Sequence, residues 1–167
     1  RKFYILMLES RLKEYPFFAK LGAYSIDQNS PKKIAETMNY TVDLLRKNPN
    51  IMLNLFPQGQ LVPNRMRPLE FRGGLNSIIK KYGDEINILP LAMKIEYLEE
   101  QRSQVFFKFK ENMIDNVNNL SDMYEKSREM EQLLLLIDES IFNGDFGEVI
   151  MHGKKSVSEI RRRKGQR

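Results

Sequence analysis

Apolar residues recur at helical spacing in the segment between Ser30-Pro31 and Asn48-Pro49. Serine is a favourable N-cap and proline suits the first helical position, whereas a residue that precedes proline disfavours helix. These signals predict a helix across the segment. A second helix is predicted from Gly74 to Tyr82, because Gly83 can take the left-handed conformation that ends a helix. From Ser121 onward an apolar stripe at the same spacing predicts a long amphipathic helix. Its apolar face is expected to pack against a sheet, and a face that lies on a membrane is the alternative.

Short apolar runs between these helices predict strands. Ile51–Phe56 and Ile88–Ile95 are expected to be buried strands, the second with an unusual internal proline. Gln104–Lys110 alternates phenylalanine with lysine, which is typical of a half-exposed strand near a sheet edge. Upstream, Ala23–Asp27 is a predicted strand that follows a helix near residues 10–20.

This alternation of strands and helices predicts an α/β fold with a mixed, mostly parallel sheet flanked by helices and a long C-terminal helix. Residues 1–150 are expected to form one domain, and residues 151–167 a basic, flexible tail. The opening run Phe3–Leu8 is rich in core residues, which favours the interpretation that the domain is cut at its N-terminus.

Composition narrows the possible classes of protein. The chain is 41% hydrophobic and 29% charged, which is ordinary for a globular domain. It has no cysteine, and the single histidine, His152, leaves little basis for a metal site. The apolar runs, among them Phe3–Leu8 and Leu133–Ile137, are far shorter than the ~20 residues that span a bilayer.

The net charge of +5 is concentrated in the tail. A solvated end, an anionic membrane surface or nucleic acid could each account for that charge. Nucleic acid is disfavoured because the body of the chain does not interleave basic and aromatic residues.

The segment from Phe56 to Leu75 carries the most specific pattern. A predicted strand ends at Phe56, and ligands of open α/β sheets bind beyond the carboxyl ends of strands. A basic, proline-rich loop follows, and guanidinium groups beside glycines suit a phosphate or carboxylate. On this evidence alone, a solvated basic loop is an equally good interpretation.

The segment resembles the glycerolipid acyltransferase family, which includes the lysophosphatidic-acid acyltransferases. Phe56-Pro57-Gln58-Gly59 resembles the family's Phe-Pro-Glu-Gly signature, and Phe71-Arg72-Gly73-Gly74 resembles the Phe-Lys/Arg-x-Gly element that follows it. Ile88-Leu89-Pro90-Leu91-Ala92 is similar to the family's proline-bearing strand, and Gly22–Asp27 to an earlier block. The four blocks stand in the family's order.

The resemblance implies transfer of an acyl group from an acyl thioester (acyl-CoA or acyl carrier protein, with no further cofactor) to a hydroxyl of a lysophospholipid or glycolipid. It also implies a protein in the cytoplasm, peripheral to the cytoplasmic membrane, with an apolar acyl pocket that includes Leu89 and Pro90. The residues expected to bind the acceptor are Asp27, Gln28, Phe56, Pro57, Gln58, Gly59, Gln60, Arg65, Arg67 and Arg72.

Two positions depart from the family pattern. Gln28 stands where the family commonly has an arginine for the acceptor's phosphate, and Gln58 replaces the signature glutamate. An amide keeps the hydrogen-bonding shape but gives up the charge. A phosphate-bearing acceptor is therefore less expected than a less charged lipid with a free hydroxyl.

The family's His-x4-Asp box, whose histidine acts as general base, is not found in the chain. Five residues after His152 stands Val157 instead of the aspartate that the box requires, so His152 is expected to be a surface histidine. The box is expected to precede Arg1, so that this fragment alone is expected to be inactive. A non-catalytic lipid- or anion-binding relative and a basic interaction module remain the alternatives.

Overall fold

A computed structural model of the protein describes residues 2–48, 50–98, 102–110, 113–115 and 122–153. Of the predicted basic tail, residues 151–167, the part from 154 to 167 lies outside them. The element order is β1 (Lys2–Leu8), α1 (Glu9–Glu14), α2 (Phe17–Lys20), β2 (Ala23–Ile26), α3 (Pro31–Lys47), β3 (Ile51–Asn54), α4 (Gly74–Tyr82), β4 (Ile86–Ile88), β5 (Leu91–Glu96), β6 (Gln104–Phe109), β7 (Met113–Asp115) and α5 (Met123–Phe142).

The first half of the fold is a three-stranded parallel sheet in the order β2-β1-β3. Its central strand, β1, pairs Leu6 with Tyr24 on one side and Tyr4 with Leu53 on the other. Helices α3 and α4 pack together, and the buried core here is formed by Met38, Val42 and Ile78. We call β1–β3 with α1–α4 the parallel-sheet region.

The second half is an antiparallel hairpin, β5–β6, with α5 packed on one of its faces. The core of this half is formed by Leu69, Ala92, Leu133, Leu134 and Ile137. We call β5, β6 and α5 the hairpin region. The short strands β4 and β7 pair with each other as a separate antiparallel ladder.

The mixed α/β fold with a parallel sheet and a long C-terminal helix is therefore confirmed. The predicted helix caps also hold: Ser30 Oγ accepts a hydrogen bond of 3.3 Å from the N–H of Lys33, and Gly83 ends α4 at a φ of 77°. The apolar side of α5 packs against the hairpin, which confirms the prediction that this helix packs against a sheet.

The central strand of the parallel sheet was not predicted from the sequence, and one strand prediction was wrong. The opening run of the chain is the central strand β1, which sequence reasoning used only as a sign of truncation. The apolar run Ile88–Ile95 is two strands rather than one, because Leu89-Pro90 separates β4 from β5 and the two enter different ladders. Proline has no N–H to donate to a ladder.

The burial of the predicted strands also differs from expectation. β5 alternates, with Ala92 buried and its odd-numbered neighbours exposed, so it is covered on one face only. β3 is half-buried because it lies at an edge of the parallel sheet. Within the described residues, no helix is both long and apolar enough to cross a membrane.

Candidate functional site

The chain turns sharply after β3, where the family-like signature begins. The N–H of Gly59 donates to the carbonyl of Phe56 over 3.0 Å, and Gly59 adopts a φ of 66°. Positive φ is accessible to glycine at little cost, which explains this residue in the turn. The N–H of Arg72 donates to the carbonyl of Pro57 over 2.8 Å. This bond brings Phe71-Arg72-Gly73-Gly74 back beside Phe56-Pro57-Gln58-Gly59.

Four residues join the turn to the loop that follows β2. Gln28 Nε2 donates to the carbonyl of Gly59 over 2.7 Å, and Gln28 Oε1 accepts from Arg72 Nη1 over 3.0 Å. Arg72 Nη2 donates to Gln60 Oε1 over 3.4 Å. We call Gln28, Gly59, Gln60 and Arg72 the amide–arginine network. It links segments 31 and 44 residues apart in the chain.

The network is tight around Gly59. A Cβ at this position would lie 2.8 Å from Arg72 Cδ and 3.1 Å from Gln28 Nε2. Glycine is therefore required both by the backbone conformation and by the close approach of two side chains. Gly73, at the start of α4, has no such neighbours within 4 Å.

Asp27 lies next to this network but bonds to other partners. Its carboxylate accepts from Lys33 Nζ and from the N–H of Asn29, both over 3.0 Å. The Lys33 ammonium and the Asn29 N–H hold the pKa of Asp27 below its usual range. Glu9 also pairs with Lys33, at 3.7 Å. Asp27 thus anchors the loop before α3, where a carboxylate also suits the helix N-terminus.

The other two predicted arginines do not join the network. Arg67 Nη1 donates to the carbonyls of Asn64 and Met66 in its own loop, over 3.2 and 2.7 Å. Arg65 is exposed on the same loop. Both guanidinium groups therefore lie on the solvent side of the loop rather than converging with Arg72.

Gln58 faces a small cleft of about 10 Å³, which is room for roughly one water molecule. The cleft is too small for an acyl chain. Its lining residues are Gln58, Gln60, Val62, Met66, Pro68 and Glu70. Sequence reasoning missed the apolar members Val62 and Met66, although their place in the proline-rich loop was a usable signal.

The residues expected to line an acyl pocket lie in another place. Leu89 and Pro90 separate β4 from β5, and Leu89 is 46% exposed. The carbonyl of Pro90 accepts from the N–H of Lys110 over 3.1 Å. Phe56 is 62% exposed at the start of the turn. Leu89 and Pro90 do not line the cleft beside Gln58.

The amide–arginine network can orient a ligand by hydrogen bonds and by one positive charge. A guanidinium has five N–H donors in a fixed plane, and two of those of Arg72 bond to amide oxygens here. The amides are neutral, so they position the guanidinium without neutralising it. The nitrogen and the oxygen of the Gln28 amide are both engaged inside the protein, whereas Arg72 has further N–H donors that can bond to an oxygen of a ligand.

Among the residues that the structure describes, no cluster of metal ligands accompanies the network. His152, the single histidine of the chain, is exposed after α5. No group of three or more His, Asp or Glu side chains within the described part of the chain is placed to hold a metal ion. Comparisons with protein-family profiles, with curated proteins and with solved structures gave no match.

Proposed function

We propose that this chain contributes the acceptor-binding part of a lysophospholipid-type acyltransferase. The complete enzyme would transfer a fatty acyl group from acyl-CoA or acyl carrier protein to a hydroxyl of a lipid acceptor. The general base would be the histidine of a His-x4-Asp box, which the resemblance implies for the complete enzyme. The partners proposed are the thioester donor, the lipid acceptor and the surface of the cytoplasmic membrane.

One observation carries the proposal. Residues at the family-like blocks, separated along the chain, meet in direct hydrogen bonds. Gln28, which directly follows the Gly22–Asp27 block, bonds to Gly59 of the Phe56-Pro57-Gln58-Gly59 block and to Arg72 of the Phe71-Arg72-Gly73-Gly74 block. A loop that is merely solvated does not require a glycine in close contact with side chains, yet a Cβ at Gly59 would contact both Gln28 and Arg72. Ligand sites in α/β folds form at such strand ends.

The chemistry of the network favours an acceptor with little charge. Gln28 gives its amide nitrogen to the Gly59 carbonyl and its amide oxygen to Arg72. A neutral amide engaged in this way cannot bind a phosphate as a bidentate guanidinium does. Arg72 alone would then orient one oxygen of the acceptor, such as a hydroxyl of a glycolipid or a single headgroup oxygen.

The experiment is acyl transfer by the natural full-length protein, from labelled acyl-CoA and separately from acyl carrier protein, to a panel of lipid acceptors. Arg72→Ala should raise KM for the acceptor about tenfold or more, since a hydrogen bond to a charged group contributes roughly 1.5–3 kcal/mol. The matched control is Arg11→Ala, which removes an exposed guanidinium paired with Glu14 in α1.

Loss of transfer when the box histidine is replaced by alanine would support the catalytic assignment. No transfer from either donor by folded protein that still binds lipid would overturn it in favour of a non-catalytic relative. That second candidate is favoured by one observation, the internal engagement of both ends of the Gln28 amide.

A further inference from the structure

The hairpin region has one covered face and one bare face. Ala92 is 2% exposed and packs with Leu133, Leu134 and Ile137 beneath α5. Neighbouring residues of a strand point to opposite faces. The odd-numbered residues of β5 therefore lie on the side away from α5.

This bare side is apolar on both strands. The ladder places Leu91 opposite Phe109, Met93 opposite Phe107 and Ile95 opposite Val105. Each of the six is between 40% and 54% exposed. We call these six residues the hairpin apolar face. Directly paired residues share a face of the sheet, so the six form one continuous patch.

The patch contains no charged position. The lysines of the hairpin stand at even-numbered positions: Lys94 pairs with Asp138 on α5 and with Glu96, and Lys108 lies opposite Ala92. An anionic lipid surface is bound through apolar residues together with basic ones on the same face. The hairpin apolar face lacks the basic component, so a second apolar surface suits it better than a charged membrane.

The size of the patch agrees with self-association. Six large apolar residues about half exposed present roughly 500 Å² per copy, which is near the upper range of patches on monomers. Two copies would then bury about 1,000 Å² together, the lower limit for a specific interface. Leu89 and Tyr97, 46% and 69% exposed at the two ends of β5, would add to this area.

We propose that the chain forms a homodimer in which the hairpin apolar faces of two copies pack against each other. The contact would be isologous, with the same patch on both subunits, and the two hairpins would stack as facing sheets about 10 Å apart. Each hairpin would then be covered on both sides, by its own α5 and by the partner's hairpin. This inference does not depend on the proposed function.

The test is sedimentation equilibrium of the 167-residue chain over a range of concentrations, for which we expect dissociation in about the micromolar range, as interfaces of low area show. Phe107→Glu, at the middle of the patch, should weaken the dimer at least about tenfold. The control is Phe142→Glu, which changes a phenylalanine that is 90% exposed at the end of α5. Circular dichroism establishes that each variant is folded.

A second measurement uses the absence of cysteine from the chain. Met93→Cys introduces a single thiol on the patch, so any disulfide formed on oxidation joins two copies. We expect crosslinking for Met93→Cys and none for Leu135→Cys, which lies on the exposed side of α5 at 58% exposure.

Three results would overturn the proposal. The chain could sediment as a monomer at every concentration. The dimer could be as stable in Phe107→Glu as in the control. Phe107→Glu could also abolish binding to vesicles of neutral and anionic phospholipid while the unmodified chain remains monomeric, which would assign the patch to a lipid surface.

Discussion

The parallel-sheet region and the hairpin region differ in how completely their apolar residues are covered. In the parallel-sheet region, α3 and α4 cover the sheet and bury Met38, Val42 and Ile78. In the hairpin region, α5 covers one face and leaves six apolar residues exposed on the other. The first region supports the candidate acceptor site, whereas the second offers a surface for a partner.

The two regions meet through the loop between β3 and α4. Leu69 of this loop packs in the core beneath α5, and its N–H donates to the Glu131 carboxylate. The same loop contains the turn at Gly59. A single loop therefore both shapes the candidate site and attaches one region to the other.

The largest expected effect separates the two cores. Ile78→Ala and Ile137→Ala each remove a side chain that is at most 3% exposed, and each should lower the free energy of unfolding by about 3 kcal/mol. Urea unfolding followed by circular dichroism measures the loss. If the regions unfold as one unit, both variants shift one common transition.

If each variant instead shifts a transition of its own, the two regions unfold independently. A loss below about 1 kcal/mol for Ile78→Ala would contradict the assignment of this residue to a packed core, since exposed aliphatic truncations cost that little. Leu91→Ala, at 40% exposure, is the control for a site on the bare face.

The link between the regions is tested by Glu131→Ala. The carboxylate accepts from the N–H of Leu69, which is 8% exposed, and a half-buried donor left without its partner should cost about 2 kcal/mol. Glu131→Gln keeps an acceptor and should recover part of the loss. Glu139→Ala, on the exposed side of the same helix, should be near neutral in the same urea titration. An equal loss from Glu131→Ala and Glu139→Ala would argue against the link.

A smaller effect tests the close approach at the site. Gly59→Ala and Gly83→Ala both place a Cβ at positive φ, which costs about 1 kcal/mol. Only Gly59 has side-chain atoms within 3.4 Å of the new Cβ; at Gly83 the space is open. We expect Gly59→Ala to be less stable than Gly83→Ala by about 1 kcal/mol by thermal unfolding. Equal losses would mean that Arg72 and Gln28 move aside freely.

The smallest effect concerns charge in the hairpin region. Burial opposes the charge of Lys94, but hydrogen bonds to Asp138 and Glu96 outweigh it and raise the pKa of Lys94 above its usual 10.5. A raised folded pKa adds stability below the unfolded pKa and loses it as the pH rises through the folded value. Lys94→Met should therefore cost up to about 1 kcal/mol at pH 8 and less above pH 10.5.

Unfolding of the native chain and of Lys94→Met at pH 8 and pH 11 measures this difference. A constant difference across that interval would show that Lys94 acts through its packed methylene groups rather than through its charge.

Local signals explain which elements could be predicted. The start of α3 is determined by Ser30-Pro31 and the end of α4 by Gly83. These residues adjoin the helices, so the helix ends follow from short-range chemistry. β1 could not be recognised as the central strand because its pairing with β2 and β3 is long-range. An apolar run alone does not reveal its neighbours.

The site was predictable in part for the same reason. The turn at Pro57 and Gly59 is local, and Arg72 was recognised through the spacing of the family-like elements. The bond from Gln28 to Gly59 depends on how two loops meet, which periodicity does not encode. Nor does alternation say which face of β5 is covered, since Leu91 and Ala92 are both apolar.

The acceptor preference of the full-length protein carrying Gln28→Arg tests most directly whether the amide–arginine network contacts the acceptor. We expect this change to place a second guanidinium beside Arg72 and to shift the ratio of kcat/KM for a phosphate-bearing acceptor over a neutral glycolipid at least about tenfold upward. Gln28→Ala, which breaks both bonds without adding charge, should lower activity on both acceptors and leave the ratio unchanged. An unchanged ratio of kcat/KM values in folded Gln28→Arg would contradict the proposal that the amide–arginine network contacts the acceptor.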